Sequence, residues 1–218
     1  AVAFMRDAIM ANPGEVCLLA IGPMTNVALL FAVYPEAAAL LGGLTVMGGD
    51  FLRGGEALEW NIICDPHAAS MMYACGAPTH RSVGLNATTR VTMRAKEVYE
   101  RFSHPLLRIV ADYAEVFFRG AAVAGGVLTF HDPLAAVTLF DGGVCEFRRG
   151  RVSVELADQA RLGRTEFAEA GAGAGAVEAG AAGAAVAVAG AAPGEWPHEV
   201  ASSVSPEKFF EAYFSVFG

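Results

Sequence analysis

The sequence predicts an α/β fold: an open, mainly parallel sheet with helices on both faces. Three observations predict it. Short apolar runs, continuous at residues 16–21 (VCLLAI) and ending at Gly48-Gly49 after residues 44–47, suit strands buried on both faces. Segments with apolar residues at helical spacing stand between them. Turns bearing glycine and proline separate the two kinds, giving the alternation that a parallel sheet requires.

The elements follow in order. Val2, Phe4, Met5, Ile9 and Met10 recur at helical spacing, and Asn12-Pro13-Gly14 ends that helix. Residues 16–21 form a strand, broken by Gly22-Pro23. Thr25 or Asn26 caps a helix running to Tyr34-Pro35. Residues 44–47 form the next strand, closed by Gly48-Gly49. Asp65-Pro66 opens a helix through Tyr73, with Asp as N-cap and Pro at the first helical position; Gly76-Ala77-Pro78 ends it. A strand is expected over residues 81–85, helices over 93–102 and 105–119, and a helix from Asp132-Pro133 to Phe140. Residues 151–156 (RVSVEL) alternate like a half-exposed strand, and residues 162–165 look like a turn into a second one. The last element is an amphipathic helix over residues 206–217, capped by Ser205. Its apolar stripe (Phe209, Phe210, Tyr213, Phe214, Phe217) points to core packing.

A length of 218 residues suffices for one α/β domain spanning residues 1–218. The formal net charge is −8 and no basic run is present, which argues against nucleic acid or an anionic membrane as partner. Residues 168–193 are almost entirely Ala and Gly. They carry too little large apolar surface to offset ordering entropy and read as a low-complexity insertion. An Ala-rich packed helix is the alternative, but each interior Gly costs it about 1 kcal/mol. The Ala/Gly/Val stretch 179–192 is shorter than the roughly 20 residues of a membrane span. Four cysteines lack any CxxC spacing; Cys17 and Cys64 lie in apolar runs and read as small core residues. That usage favours a reducing, cytoplasmic location.

Two constellations carry chemistry. The first lies within residues 46–69, where a strand ends at Gly48-Gly49, a polar loop follows, and Glu59-Trp60-Asn61 precedes a second apolar run. Paired glycines let backbone and ligand approach closely. A carboxylate and an amide two residues apart can hydrogen-bond a polyol. An ordinary loop around a buried Trp60 is the plain alternative. The second is His131-Asp132-Pro133. Histidine can hand a proton to a leaving group near neutral pH. A carboxylate at a helix start can bind a hard metal or accept from a diol. Alternatively, Asp132 is simply an N-cap, since Asp65-Pro66 shows the same local grammar. His67, His80, His104 and His198 read as surface or structural residues, and no HExxH, GxSxG, Walker A or GxGxxG pattern occurs.

The chain resembles the inosine-uridine preferring nucleoside hydrolase family. LLAIGPMTNVALLFAVYP is similar to the family's "alGPLTNiAlAl…P" segment, LTVMGGDF to its "vvMGG" strand and EWNIICDPHAA to "EFNIyvDPeAA". TFHDPLAAVTLFD resembles "plHDplAvayllD", RVSVELADQARLGRTEF resembles the late "v.VEl.g.ltrGrT" strands, and SPEKFFEAYFSVF resembles the closing helix. The resemblance implies hydrolysis of nucleosides to ribose and free base by Ca²⁺-bound water, with a small-molecule substrate and a homodimer or homotetramer. It implies that His131 helps activate the leaving base and that Met47, Glu59, Asn61 and Asp132 bind ribose. Asp132 and the backbone carbonyl of Ile21 are implied metal ligands, and Trp60 stands where Phe is usual.

Departures accompany the resemblance. The family's early Asp-rich DxDxxxDD loop, which supplies most Ca²⁺ ligands and the general base, has no counterpart here, so the chain reads as lacking the family's first strands. The loop matching "GN.tp.aE" is Gly54-Gly55-Glu56-Ala57-Leu58-Glu59, without its Asn, and "glDvT" is matched by Gly84-Leu85-Asn86-Ala87-Thr88. Because Ca²⁺ wants six to eight oxygens, the isolated chain is expected not to turn over nucleosides. A non-catalytic ligand-binding or subunit-interaction role is the alternative.

Overall fold

The computed structural model describes residues 1–52, 58–120, 126–171 and 198–217. In chain order, helix α1 (Val2–Ala11) leads to strand β1 (Cys17–Ala20), and helices α2 (Thr25–Val33) and α3 (Glu36–Ala39) lead to strand β2 (Gly43–Met47). Helices α4 (Trp60–Ile63) and α5 (Pro66–Tyr73) precede strand β3 (His80–Val83). Then come α6 (Leu85–Thr88), β4 (Thr92–Arg94), α7 (Ala95–Arg101), α8 (Pro105–Arg119), β5 (Val127–Thr129) and α9 (His131–Val137). Strands β6 (Cys145–Val154), β7 (Thr165–Glu169) and β8 (His198–Val204) and helix α10 (Pro206–Ser215) follow.

One sheet has the order β1-β2-β3-β8-β6-β7. The first four in that order run parallel, while β6 pairs antiparallel with β8 and with β7. Strands β4 and β5 form a separate antiparallel pair. The expected α/β architecture with its mainly parallel sheet is therefore present.

All five residues of β2 are buried, because helices cover both faces of the sheet there. Leu44 and Val46 face one core, with Ile9, Met24, Leu30 and Met72 from α1, α2 and α5 and the turn before α2. Met47 faces the other, with Val98, Phe102, Leu134 and Phe209 from α7, α9 and α10 and the turn after α7. Adjacent strand residues point to opposite faces, so the largely apolar run serves two cores. Burying each such side chain contributes about 1.5–3 kcal/mol. The stripe on α10 packs as expected, and the Ser205 hydroxyl accepts from the Lys208 amide at 3.3 Å.

Several expectations are corrected. Strand β8 went unrecognised, although it lies inside the sheet with His198 paired to His80. HEVASSV has little apolar content, and its place is set by its neighbours. The strand expected at 151–156 is β6, which starts at Cys145; its charged residues sit at the surface, where Arg148 pairs with Glu169 at 3.1 Å. Residue 93 belongs to β4, not to the following helix, because Met93 is buried between exposed Thr92 and Arg94. Neither Thr25 nor Asn26 caps α2; Met24 holds that position, and the Thr25 hydroxyl donates to Asp65 Oδ2 at 2.6 Å. Cys17 and Cys64 are exposed: Cys17 opens the edge strand β1, and Cys64 is the C-cap of α4. Of the Ala/Gly stretch, Ala168 and Glu169 close β7, and residues 172–193 lie outside the described residues. Among the described residues, no helix is long and apolar enough to cross a membrane.

Two of the four histidines given minor roles are deeply buried. The His80 ring stacks on Tyr73 at 5.0 Å between centroids, and His198 meets both edge-on. His198 Nδ1 accepts from the Val152 amide at 2.8 Å and Nε2 lies 2.9 Å from the Tyr73 carbonyl. That arrangement needs a neutral ring protonated at Nε2. Burial pushes His198 down to about 4 and His80 down as well.

Candidate active site

Parallel pairing puts the carboxyl ends of β1, β2 and β3 on one edge of the sheet, the usual place for a ligand crevice in an open α/β fold. Ile21 follows β1 there, Gly48-Gly49 follows β2 and Gly84 follows β3. Gly49 has φ +82°, and an added Cβ would lie 2.4 Å from the Phe51 ring. A glycine is required on both counts. The Gly49 carbonyl accepts from Leu85 N at 2.8 Å, joining the end of β2 to α6.

Glu59 is buried and is the N-cap of α4. Its carboxylate accepts from the amides of Asn61 (2.9 Å), Ile62 (3.1 Å) and Gly49 (3.2 Å). It thus ties the start of α4 to the double-glycine turn. Burial raises its pKa most; the three amides pull it back, and the Asp132 carboxylate adds to the rise. That last effect places Asp132 within electrostatic reach of Glu59.

Asn61 is buried too, and its Nδ2 donates to the Met47 carbonyl at 3.0 Å and lies 3.5 Å from Met47 Sδ. This leaves Oδ1 as its unused acceptor among the described residues. Trp60, between them, is 71% exposed, so the reading of a loop around a buried Trp is overturned. On the four-residue helix, residues 59 and 61 turn inward and residue 60 turns out. The expected sugar loop lies outside the described residues at positions 54–57.

His131 and Asp132 come from the first turn of α9, whose N-cap is Phe130. Asp132 is therefore not the cap, unlike Asp65, whose Oδ1 accepts from the Ala68 amide at 3.0 Å. No described residue donates a hydrogen bond to the Asp132 carboxylate, which leaves it open to a ligand. Burial raises the Asp132 pKa and lowers that of His131, and their proximity partly offsets both shifts. His131 Nδ1 lies 2.7 Å from the Thr88 hydroxyl. The Phe130 amide donates to the Val91 carbonyl at 2.9 Å and holds the start of α9 beside α6.

The structure thus joins Met47 with Asn61 and Glu59 with Asn61 by hydrogen bonds, and the Asp132 charge is felt at Glu59. Ile21 is 45% exposed at the same edge, but among the described residues no hydrogen bond links it to the other four. Thr88 was missed as a partner of His131. It stood in the matched GLNAT block, but 43 residues separate the two, and only the fold brings them together.

The donor set does not by itself fit a calcium ion. Among the described residues no group of three or more His, Cys, Asp or Glu could hold a metal. Asp132 and the Ile21 carbonyl offer at most three oxygens, whereas Ca²⁺ takes six to eight. What the arrangement offers is a free amide oxygen at Asn61, an open carboxylate at Asp132 and a free ring nitrogen at His131.

Comparison with known proteins bears on the family and the fold. The family model for inosine-uridine preferring nucleoside hydrolases matches residues 1–211. A protein named probable uridine nucleosidase 2 from Oryza sativa subsp. japonica is 32% identical over 164 residues, covering 71% of this chain and 48% of its own length. A plant nucleoside hydrolase structure, PpNRh1, aligns with TM-score 0.77 and 25% identity over 97% of this chain and 64% of its own. A purine-preferring ribonucleoside hydrolase from Gardnerella vaginalis shares the fold, with TM-score 0.79 at 22% identity, covering 99% of this chain and 64% of its own. The chain spans about half or less of the length of the curated relatives it matches. With a family model that covers nearly all of it, the chain belongs to the inosine-uridine preferring nucleoside hydrolase family.

Proposed function

We propose that this chain serves N-ribosyl hydrolysis of nucleosides, yielding ribose and a free base. The observation that carries this reading is the Asp132 carboxylate. It is half-buried, unspent on capping, next to His131 and within electrostatic reach of Glu59. Asn61 Oδ1 and Asp132 accept hydrogen bonds from the ribose hydroxyls. Glu59 holds Asn61 and the double-glycine turn in place. His131 donates to the departing base, whose charge rises as the glycosidic bond breaks. Met47 closes the floor beneath the sugar.

Calcium belongs to the proposal only as an ion to which Asp132 and the Ile21 carbonyl contribute. Further oxygens have to complete its shell. A homodimer or homotetramer and a reducing, cytoplasmic setting are part of the same reading; the four unpaired cysteines suit the setting.

The test measures ribose release from uridine and inosine in the presence of Ca²⁺, together with nucleoside binding by calorimetry. Release that a chelator and Asp132→Ala both abolish bears out the reading. Binding without release leaves a ligand-binding member of the family, the outcome expected if nothing completes the ion's shell. Neither binding nor release overturns the proposed function.

A further inference from the structure

We infer that Thr88 is a positioning residue that fixes His131 as the tautomer protonated at Nε2. The proposal rests on the reading of His131 as donor to the leaving base, and adds what makes it a donor.

Thr88 is fully buried at the end of α6, and its hydroxyl lies 2.7 Å from His131 Nδ1. Its backbone is held on both sides: its amide donates to the Gly84 carbonyl at 3.0 Å, and its carbonyl accepts from the Val91 amide at 3.0 Å. Val91 in turn accepts from the Phe130 amide at 2.9 Å. Hydroxyl and ring are therefore docked from two directions.

Two proton arrangements fit the distance. Either the hydroxyl donates to a bare Nδ1, or an Nδ1–H donates to the hydroxyl oxygen. In the second case the Thr88 proton needs another acceptor, and no described residue supplies one. The carbonyl four residues back, that of Gly84, already accepts from the amides of Ala87 and Thr88, both at 3.0 Å. A buried hydroxyl proton without a partner disfavours that arrangement at least about fivefold. The first arrangement pairs both the buried hydroxyl and Nδ1. It places the ring proton on Nε2, the nitrogen that no described residue engages. A neutral imidazole in the other tautomer would present a lone pair to the leaving base and could not donate.

Thr88→Val keeps the side chain's shape and removes the hydroxyl, and Thr88→Ser restores it. The readout is the ¹⁵N NMR signature of the His131 ring in the full chain at neutral pH, assigned by its loss in His131→Gln. In the unsubstituted protein Nε2 should carry the proton and Nδ1 should show an acceptor-type shift. Thr88→Val should raise the Nδ1–H fraction several-fold, and Thr88→Ser should return it. An Nδ1–H majority in the unsubstituted protein overturns the proposal without any variant. So does an unchanged tautomer ratio in Thr88→Val that retains the parent's unfolding transition. The tautomer is read without turnover, so failure of the hydrolase reading appears separately, as absent ribose release from a protein with the Nε2–H form intact.

Discussion

Asn61 Nδ2 donates to the Met47 backbone carbonyl at 3.0 Å, joining the start of α4 to the end of β2. The bond orients the amide so that Oδ1 is its free acceptor. Asn61→Asp replaces the donor with a carboxylate facing a carbonyl. We expect a loss of about 1–3 kcal/mol in unfolding free energy by urea titration, together with weaker nucleoside binding by calorimetry. Unchanged stability would mean that the amide bond to Met47 contributes nothing.

Asp65 and Asp132 both precede a proline, yet they do different work. Asp65 accepts from the Ala68 amide and from the Thr25 hydroxyl, which holds its pKa low. Asp65→Ala should therefore cost about 1 kcal/mol of stability without removing any group from the site. Asp132→Ala should cost less than about 0.5 kcal/mol and should abolish nucleoside binding or ribose release. Urea midpoints and calorimetry on the two variants decide this; a stability loss at Asp132 equal to that at Asp65 would make both residues caps.

Gly49 combines φ +82° with a Cβ position 2.4 Å from Phe51. Gly49→Ala should destabilise by at least about 1–2 kcal/mol, lowering the thermal midpoint and loosening the amide that Glu59 accepts. A thermal melt equal to the parent's would show that the turn relaxes freely.

The His80–His198 pair makes stability depend on pH. His198 is held neutral, with its pKa pushed down to about 4 from the ordinary 6.5. Its stabilising contribution is full above pH 6.5 and is lost as pH falls from 6.5 towards 4. The unfolded chain takes up protons there and the folded chain does not. The loss from His198 is up to about 3 kcal/mol, and His80 shifts in the same direction. Urea midpoints at pH 7.5 and 4.5 should differ accordingly, and His198→Asn should shrink the difference. A pH-independent midpoint over that range would mean that both rings are solvated.

The chain's own pattern is enough to assign its class, most of its helices and the strands at residues 17–20 and 43–47. Continuous apolar runs and proline- or glycine-bearing turns are local signals that need no partner to be read. The same pattern singled out Glu59, Asn61, His131 and Asp132, because their residue types suit sugar and leaving-group chemistry. It did not reveal β8, whose polar sequence becomes a strand only between β3 and β6. Nor did it tell the Asp that caps from the Asp that stays free, since identical Asp-Pro grammar occurs at both positions. That difference depends on where each helix begins relative to its neighbours: α5 starts after Asp65, whereas Phe130, anchored to Val91, takes the cap of α9 two residues before Asp132. Sequence determined which groups this protein carries. Tertiary structure alone decided which are spent on holding the fold and which are left for a ligand, because hydrogen-bond partners distant along the chain, such as Thr88 for His131, exist only once the sheet and its helices are assembled.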